Sequence, residues 1–333
     1  MSQQTRVLIN KSYGNPESVV ALSTYSLPVL MENQLMVEQR FSPINPADIN
    51  MIEGKYYTQP ELPAVLGNEG VGVVTHIGPD VKNVSIGDHV ILPYKKKSRW
   101  IGAWAEQFIA NEEEVLVVPK NISLEQASML TVNPPTAFLI LQQFTHLEEG
   151  DWIIQNAANS SVGQWINYIA DEWGISVLNV VRSESAAKQV QLFGKSKTMI
   201  ESEQLSESIK ADIGKVKLVI NAVGGNCAEQ IAKCLDVDGV MVTYGAMSRQ
   251  PFSLSNGALI YKNIWSTGFN RSKWVEESHA IEIKSVYDDI FKVLEKKAFE
   301  IPIEKVYGIA SYQDALNHAQ KPSRTGKVLL QFN

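Results

Sequence analysis

The chain has 333 residues, 44% of them hydrophobic and 20% charged, with a formal net charge of −6. That length carries a prior of about two domains with ample core, and the acidic balance gives no general affinity for nucleic acid. No run approaches the ~20 apolar residues a membrane helix needs, and the opening MSQQTRVLINKS lacks an apolar segment, so the expected compartment is the cytoplasm.

In chain order, short runs over 34–41, 70–77, 89–93, 105–110 and 115–118 are separated by Gly67, Gly78-Pro79, Gly87-Asp88 and Pro119. This punctuation predicts a β-rich, barrel-like domain. From Ser123 the pattern turns helical, and Ser123 with Gln126 reads as a capping box.

The stretch 150–183 is the most informative: GDWIIQNAANSSVGQWINYIADEWGISVLNVVRS. A buried strand at 152–154 leads into small polar residues, and Val162, Ile166, Ile169, Ala170 and Trp173 then recur at helical spacing up to a stop at Gly174. A second strand follows at 177–181. Strand, tight loop, helix and parallel strand make a βαβ unit, whose helix N-terminus receives a dinucleotide pyrophosphate. With Gly163 as the third glycine of G-x-G-x-x-G, the first two places hold Ala158 and Ser160, so the loop is read either as a variant phosphate loop or as an ordinary helix cap. Asn159, Ser160 and Ser161 offer side-chain donors there.

At the end of the second strand, where an NAD-binding unit carries an acidic residue, stand Arg182 and Ser183. A strand end tolerates a solvated arginine. After a phosphate loop, however, a planar guanidinium suits a 2′-phosphate, and the cofactor expected is NADPH.

Further strands are predicted at 216–223 and 239–244, and one long helix at 275–297 with Ile281, Val286, Ile290, Phe291 and Leu294 on its apolar side. Strand, helix and strand at 301–306, 312–319 and 327–332 are expected to return to the first domain. Cys227 and Cys234, seven apart and expected on one helix, read as buried thiols; the five histidines are scattered singly, and no metal is predicted.

This order of parts resembles the medium-chain dehydrogenase/reductase superfamily, an α/β architecture in which a GroES-like β-barrel domain is interrupted by a Rossmann doubly wound parallel sheet. The resemblance implies a GroES-like substrate and catalytic domain at 1–122, a Rossmann NADPH-binding domain at 123–297, and a return to the first domain at 298–333. INPADINMIEGKY (44–56), GNEG (67–70), VNPPTAF (132–138), QNAANSSVGQ (155–164), NVVR (179–182), NAVGG (221–225), TYGAMSRQP (243–251) and GFNRSKW (268–274) are similar to the mitochondrial-type trans-2-enoyl-thioester reductases. Zinc-dependent relatives supply ligands from a Cys-His pair and a Gly-His-Glu element, whereas the matching places here hold Asn45-Pro46 and Gly67-Asn68-Glu69. Without a Lewis acid, alcohol dehydrogenation loses its usual electrophile; reduction of a conjugated double bond does not need one.

The resemblance implies NADPH-dependent reduction of an enoyl thioester of coenzyme A or acyl carrier protein, by a homodimer. Tyr56, matching the family's GxY tyrosine, is the implied proton donor to the α carbon, since a phenol of reference pKa ~10 holds its proton at neutral pH. Asn45 and Trp274 are implied to shape the substrate site. Implied cofactor contacts are Asn133 near the nicotinamide; Asn159, Ser160, Ser161 and Val162 at the pyrophosphate; and Arg182, Ser183 and Glu184 around the adenosine phosphate, with the Glu184 carboxylate turned away. Tyr244, Gly245, Ala246, Met247, Phe269, Asn270, Arg271 and Lys327 complete the set. The run Lys95, Lys96, Lys97 and Arg99 is either a solvated loop or a receiver for the phosphates of coenzyme A or an acidic carrier protein. Two other readings are an NADPH:quinone or enone reductase of the same fold and a non-catalytic NADPH-binding protein.

Overall fold

The computed structural model describes residues 3–57, 59–93, 102–297, 299–322 and 324–332. Lys95, Lys96, Lys97 and Arg99 lie outside them. The chain divides into two units, the first comprising Met1–Val132, Trp274–Tyr287 and Glu300–Asn333 and the second Asn133–Lys273 and Asp288–Phe299.

The first unit is built on two sheets. Strands Val20–Ser26, Gln4–Asn10 and Ala64–Val65 form one, while Ile303–Gly308, Lys327–Gln331, Gln34–Pro43, Val71–Ile77, His89–Ile91 and Leu116–Val117 follow one another in the other, with Gln107–Asn111 also pairing to Gln34–Pro43. The closing strand Lys327–Gln331 runs antiparallel to Gln34–Pro43, with Leu329 opposite Pro43. Leu8, Ile44, Ile52, Trp104, Leu316 and Leu330 are buried in one cluster. Gly67 makes room for that cluster's tryptophan. At φ 97 it adopts a conformation side chains avoid, and a Cβ there would lie 2.4 Å from the Trp104 ring.

Ser123 caps its helix, its Oγ accepting the Gln126 N–H at 3.3 Å, but the reciprocal half of the expected capping box is absent. Gln126 instead donates from Nε2 to the Ile301 carbonyl (3.0 Å) and accepts the Ile301 N–H on Oε1 (2.9 Å). The facing backbone satisfies both ends of the amide, which a turn back to Ser123 would not, at a net ~1 kcal/mol per bond.

The second unit is a six-stranded sheet in the order Lys197–Ile200, Ser176–Val181, Trp152–Asn156, Val216–Asn221, Leu235–Thr243, Trp265–Gly268. Every neighbouring pair is parallel. The chain winds outward from Trp152–Asn156 in one direction and then starts again at Val216–Asn221 in the other, which places the topological switch point between those two strands. Helix Ser161–Glu172 buries Val162, Trp165, Ile166 and Ile169; truncating a side chain of that kind to alanine costs ~2–5 kcal/mol. Helix Gly225–Ala232 carries Cys227 but ends before Cys234, so the two thiols do not share a helix. Both are free and buried. Burial pushes both thiols up, Cys234 to about 11, so neither is a ready nucleophile.

Where one helix over 275–297 is expected there are two, Arg271–Glu277 and Ala280–Lys296. His279 separates them as a cap: its N–H binds the Glu282 carboxylate (2.7 Å), and its carbonyl receives the Glu282 N–H (3.0 Å). The buried stripe of the second helix is Ile283, Val286, Tyr287, Ile290 and Val293, whereas Ile281, expected on it, is 78% exposed. Two residues turn the helix by about 200°, which carries Ile281 to the far side from Ile283.

Candidate active site

The second unit gathers most of the expected cofactor residues at the carboxyl edge of its sheet. After strand Trp152–Asn156 the chain turns through Ala157 at φ 51, and Ser160 caps helix Ser161–Glu172 with its Oγ accepting the Gly163 N–H at 3.2 Å. A Cβ on Gly163 would lie 2.5 Å from the Ala158 carbonyl oxygen. At Gly163 the helix therefore passes too close to the loop backbone to admit a side chain. The Asn159 side chain is held by Gln189, its Nδ2 donating to Oε1 at 3.0 Å.

Beneath this loop, polar side chains at the strand ends bond to one another across the sheet. Gln155 donates from Nε2 to the Gly163 carbonyl (2.9 Å) and to Asn179 Oδ1 (2.7 Å). Asn156 donates to Asn221 Oδ1 (2.9 Å) and accepts the Ala222 N–H (2.7 Å), and Asn221 donates to Thr243 Oγ1 (3.2 Å). Asn221 Oδ1 also takes the N–H groups of Val223 (3.1 Å) and Gly224 (3.0 Å). Buried amides of this kind are costly unless paired, and once paired they define the loops they touch. These residues are absent from the expected site; their signal was a polar residue closing each of three apolar strands.

Arg182 follows strand Ser176–Val181 and is exposed, and Ser183 caps the short helix Glu184–Ala187, its Oγ accepting the Ala186 N–H at 3.3 Å. Glu184 is exposed. Tyr244, Gly245, Ala246 and Met247 follow strand Leu235–Thr243, with the N–H groups of Tyr244 and Met247 bonded to the carbonyls of Asn221 and Ala222 (3.0 Å each). Gly245 passes close to that neighbour, since a Cβ there would meet the Ala222 carbonyl at 2.9 Å. Burial pushes the Tyr244 phenol up to about 12, with Ser160 opposing weakly. Its hydroxyl is buried without a well-formed hydrogen bond, as is the Asn133 Nδ2. Phe269 is tied by its N–H to the Thr243 carbonyl (3.0 Å), Asn270 accepts the Lys273 N–H on Oδ1 (3.1 Å), and Arg271 opens helix Arg271–Glu277.

On the same side of the sheet a cavity of about 220 Å³ is lined by Glu201, Leu205, Val223, Asn226 and Gln230 among others. None of these belonged to the expected site.

In the first unit, Asn45 and Lys327 meet. Lys327 Nζ donates to Asn45 Oδ1, and Asn45 Nδ2 donates to Glu69 Oε1 at 2.8 Å. Glu69 Oε2 accepts the N–H groups of Thr131 (3.1 Å) and Val132 (2.9 Å). Asp48 accepts the Asn45 N–H (2.7 Å) on one oxygen and the Asn68 N–H (3.0 Å) and Nδ2 (2.7 Å) on the other. The places where zinc-dependent relatives carry thiolate and imidazole thus hold two amides bonded to carboxylates. Amides are poor zinc ligands, and among the described residues no group of three or more His, Cys, Asp or Glu is placed to hold a metal ion.

Tyr56 lies in the turn after helix Pro46–Ile52, half-buried, while Tyr57 beside it is 98% exposed. Bonds from Gly54 N to the Met51 carbonyl (3.1 Å), from Lys55 N to the Asn50 carbonyl (2.8 Å) and from Gln59 Nε2 to the Tyr56 carbonyl (2.7 Å) fix that turn. Trp274 is half-buried, and its carbonyl accepts the Ser278 N–H at 2.9 Å.

A GroES-like unit interrupted in sequence by a doubly wound nucleotide unit defines a medium-chain dehydrogenase/reductase. Residues 31–120 match the alcohol dehydrogenase GroES-like domain and residues 161–285 the zinc-binding dehydrogenase domain. The mitochondrial enoyl-[acyl-carrier-protein] reductase of Dictyostelium discoideum is 34% identical over 327 residues, which cover 96% of this chain and 92% of the relative. The chain belongs to that enoyl reductase family. The solved Etr1p/NADP/crotonyl-CoA complex is 26% identical with a TM-score of 0.85, covering 99% of this chain and 100% of that one. A putative NADPH:quinone reductase from Bacillus thuringiensis, 21% identical with a TM-score of 0.88 over 100% of both chains, has the same fold.

Proposed function

We propose that the protein reduces the 2,3-double bond of trans-2-enoyl thioesters at the expense of NADPH. The likeness to an enoyl reductase along nearly the whole chain carries this reading. The residues present fit the cofactor: a loop closed by Gly163, the N-terminus of helix Ser161–Glu172 for a pyrophosphate, an exposed Arg182 at the strand end, and the buried, unbonded Asn133 Nδ2. NADPH, when bound, supplies a hydride to the β carbon. The chain's own contribution begins with position. We assign the pyrophosphate and adenosine contacts of NADPH to the second unit and substrate binding and proton transfer to the first.

The conjugated carbonyl draws charge toward the thioester oxygen as the β carbon is reduced, and the α carbon then requires a proton. Tyr56 supplies it, because a phenol remains protonated at neutral pH and this one stands on a turn fixed by three hydrogen bonds. Asn45 already has each end of its amide engaged, so its part is to hold Lys327 and Glu69 in place. The thioester carrier is coenzyme A or acyl carrier protein. The deciding experiment follows NADPH oxidation with crotonyl thioester beside a simple quinone: the thioester is expected to be the far better substrate, and preferential quinone reduction overturns the reading.

We further propose a homodimer built on the edge strand Trp265–Gly268. All four of its residues are exposed, Trp265 among them (67%), as are Ile260 (70%) and Tyr261 (83%) nearby. An open edge with an apolar flank is a pairing surface, and a second copy related by a two-fold axis continues the sheet. Light scattering is expected to give a dimer for the natural chain and a monomer for Ile260→Lys/Trp265→Glu with NADPH binding retained. A monomeric natural chain at micromolar concentration excludes this arrangement. Free buried cysteines suit a reducing compartment, proposed as the cytoplasm; the relative is named mitochondrial, and fractionation of cells tests the difference.

A further inference from the structure

We propose that Glu69 is a positioning residue that acts through Asn45 to hold the Lys327 side chain as a charged ammonium within the first unit. Lys327 is 8% exposed, Asn45 4% and Glu69 3%. A buried ammonium is costly unless paired, yet the acceptor that holds Lys327 is a neutral amide oxygen. That amide donates in turn to the Glu69 carboxylate. An amide between a cation and an anion is polarised by both, so its oxygen becomes a stronger acceptor for the ammonium. Glu69 is anchored independently by two backbone N–H groups, of Thr131 and Val132, so the relay has a fixed end.

The backbone at Lys327 is fixed from the other direction. Glu304 accepts the N–H groups of Thr325 (2.6 Å) and Gly326 (3.3 Å), and Lys327 N donates to the Pro302 carbonyl (2.8 Å). What remains adjustable is the direction and charge of the side chain. Burial pulls the ammonium's pKa down and Arg324 adds to that, while Glu69 and Asp48 oppose it. The sign is therefore defined: the charge is lost as pH rises through the folded-state pKa, and removing Glu69 brings that loss to lower pH.

The effect on activity rests on Lys327 being a cofactor contact; the effect on its charge does not. The test is accordingly in two parts. In the full-length protein the ¹³Cε resonance of Lys327, assigned by its absence in Lys327→Arg, is titrated for the natural chain, Glu69→Gln and Asn45→Asp. The midpoint is expected to fall by about one pH unit or more in Glu69→Gln, as for loss of a neighbouring opposite charge, and to rise in Asn45→Asp. An unchanged midpoint in Glu69→Gln, or a shift of the same sign in both variants, overturns the proposal. If Glu69→Gln does not fold, the rise in Asn45→Asp decides by itself. In kinetics the alkaline limb of kcat/KM for NADPH moves down in Glu69→Gln and is restored in Glu69→Gln/Lys327→Arg, because arginine does not titrate there. A natural chain that leaves enoyl thioesters untouched refutes the proposed activity while the resonance titration still judges the relay.

Discussion

Tyr56→Phe is expected to lower kcat for enoyl thioester reduction by about 10²–10⁴-fold, the range of a positioned general acid, with NADPH affinity and melting temperature close to those of the natural chain. The substitution keeps the ring that half-buries in the turn and removes only the hydroxyl. Its effect falls on the chemical step, so kcat and kcat/KM drop together. Tyr57→Phe is the matched control: that side chain is 98% exposed, and surface changes away from packing or hydrogen bonds move stability by about 0.5 kcal/mol at most. Steady-state kinetics on both variants distinguish the outcomes. Damage in Tyr57→Phe alone transfers the role to Tyr57, and full activity in both means that another group or a water protonates the α carbon.

The second large effect is expected at Arg182. Arg182→Ala should weaken NADPH by roughly 10–150-fold, the equivalent of ~1.5–3 kcal/mol for charged hydrogen bonds, and leave NADH nearly unchanged. The residue stands exposed directly after strand Ser176–Val181, and Ser183 caps the next helix. Because the guanidinium is exposed, raising ionic strength should narrow the difference between natural and variant protein. Fluorescence titration with both cofactors measures it. Equal losses for NADPH and NADH would show that Arg182 does not read the 2′-phosphate.

The elements that could be read from sequence are those whose signal is local. Strand Trp152–Asn156, helix Ser161–Glu172 and strand Ser176–Val181 carry their periodicity, stop and turn signals within one short stretch, and each forms close to its expected bounds. Strand Trp265–Gly268, by contrast, is short and exposed throughout, with no buried face to impose a pattern on its residues. The break at His279 depended on a single side chain, Glu282, choosing a backbone N–H over solvent.

By itself, the sequence determined the βαβ unit, the arginine where an acidic residue would select NAD, and the amides in place of zinc ligands, because each is a matter of residue type at a local position. Only the tertiary structure decided that Gln126 spans to Ile301 rather than closing a capping box, and that Tyr56 is half-buried while Tyr57 is not. It also decided that Lys327 shares an amide with Glu69. Those outcomes join segments far apart in the chain. A buried polar group takes whichever partner the packed backbone brings within reach, and no local spacing encodes which one that is.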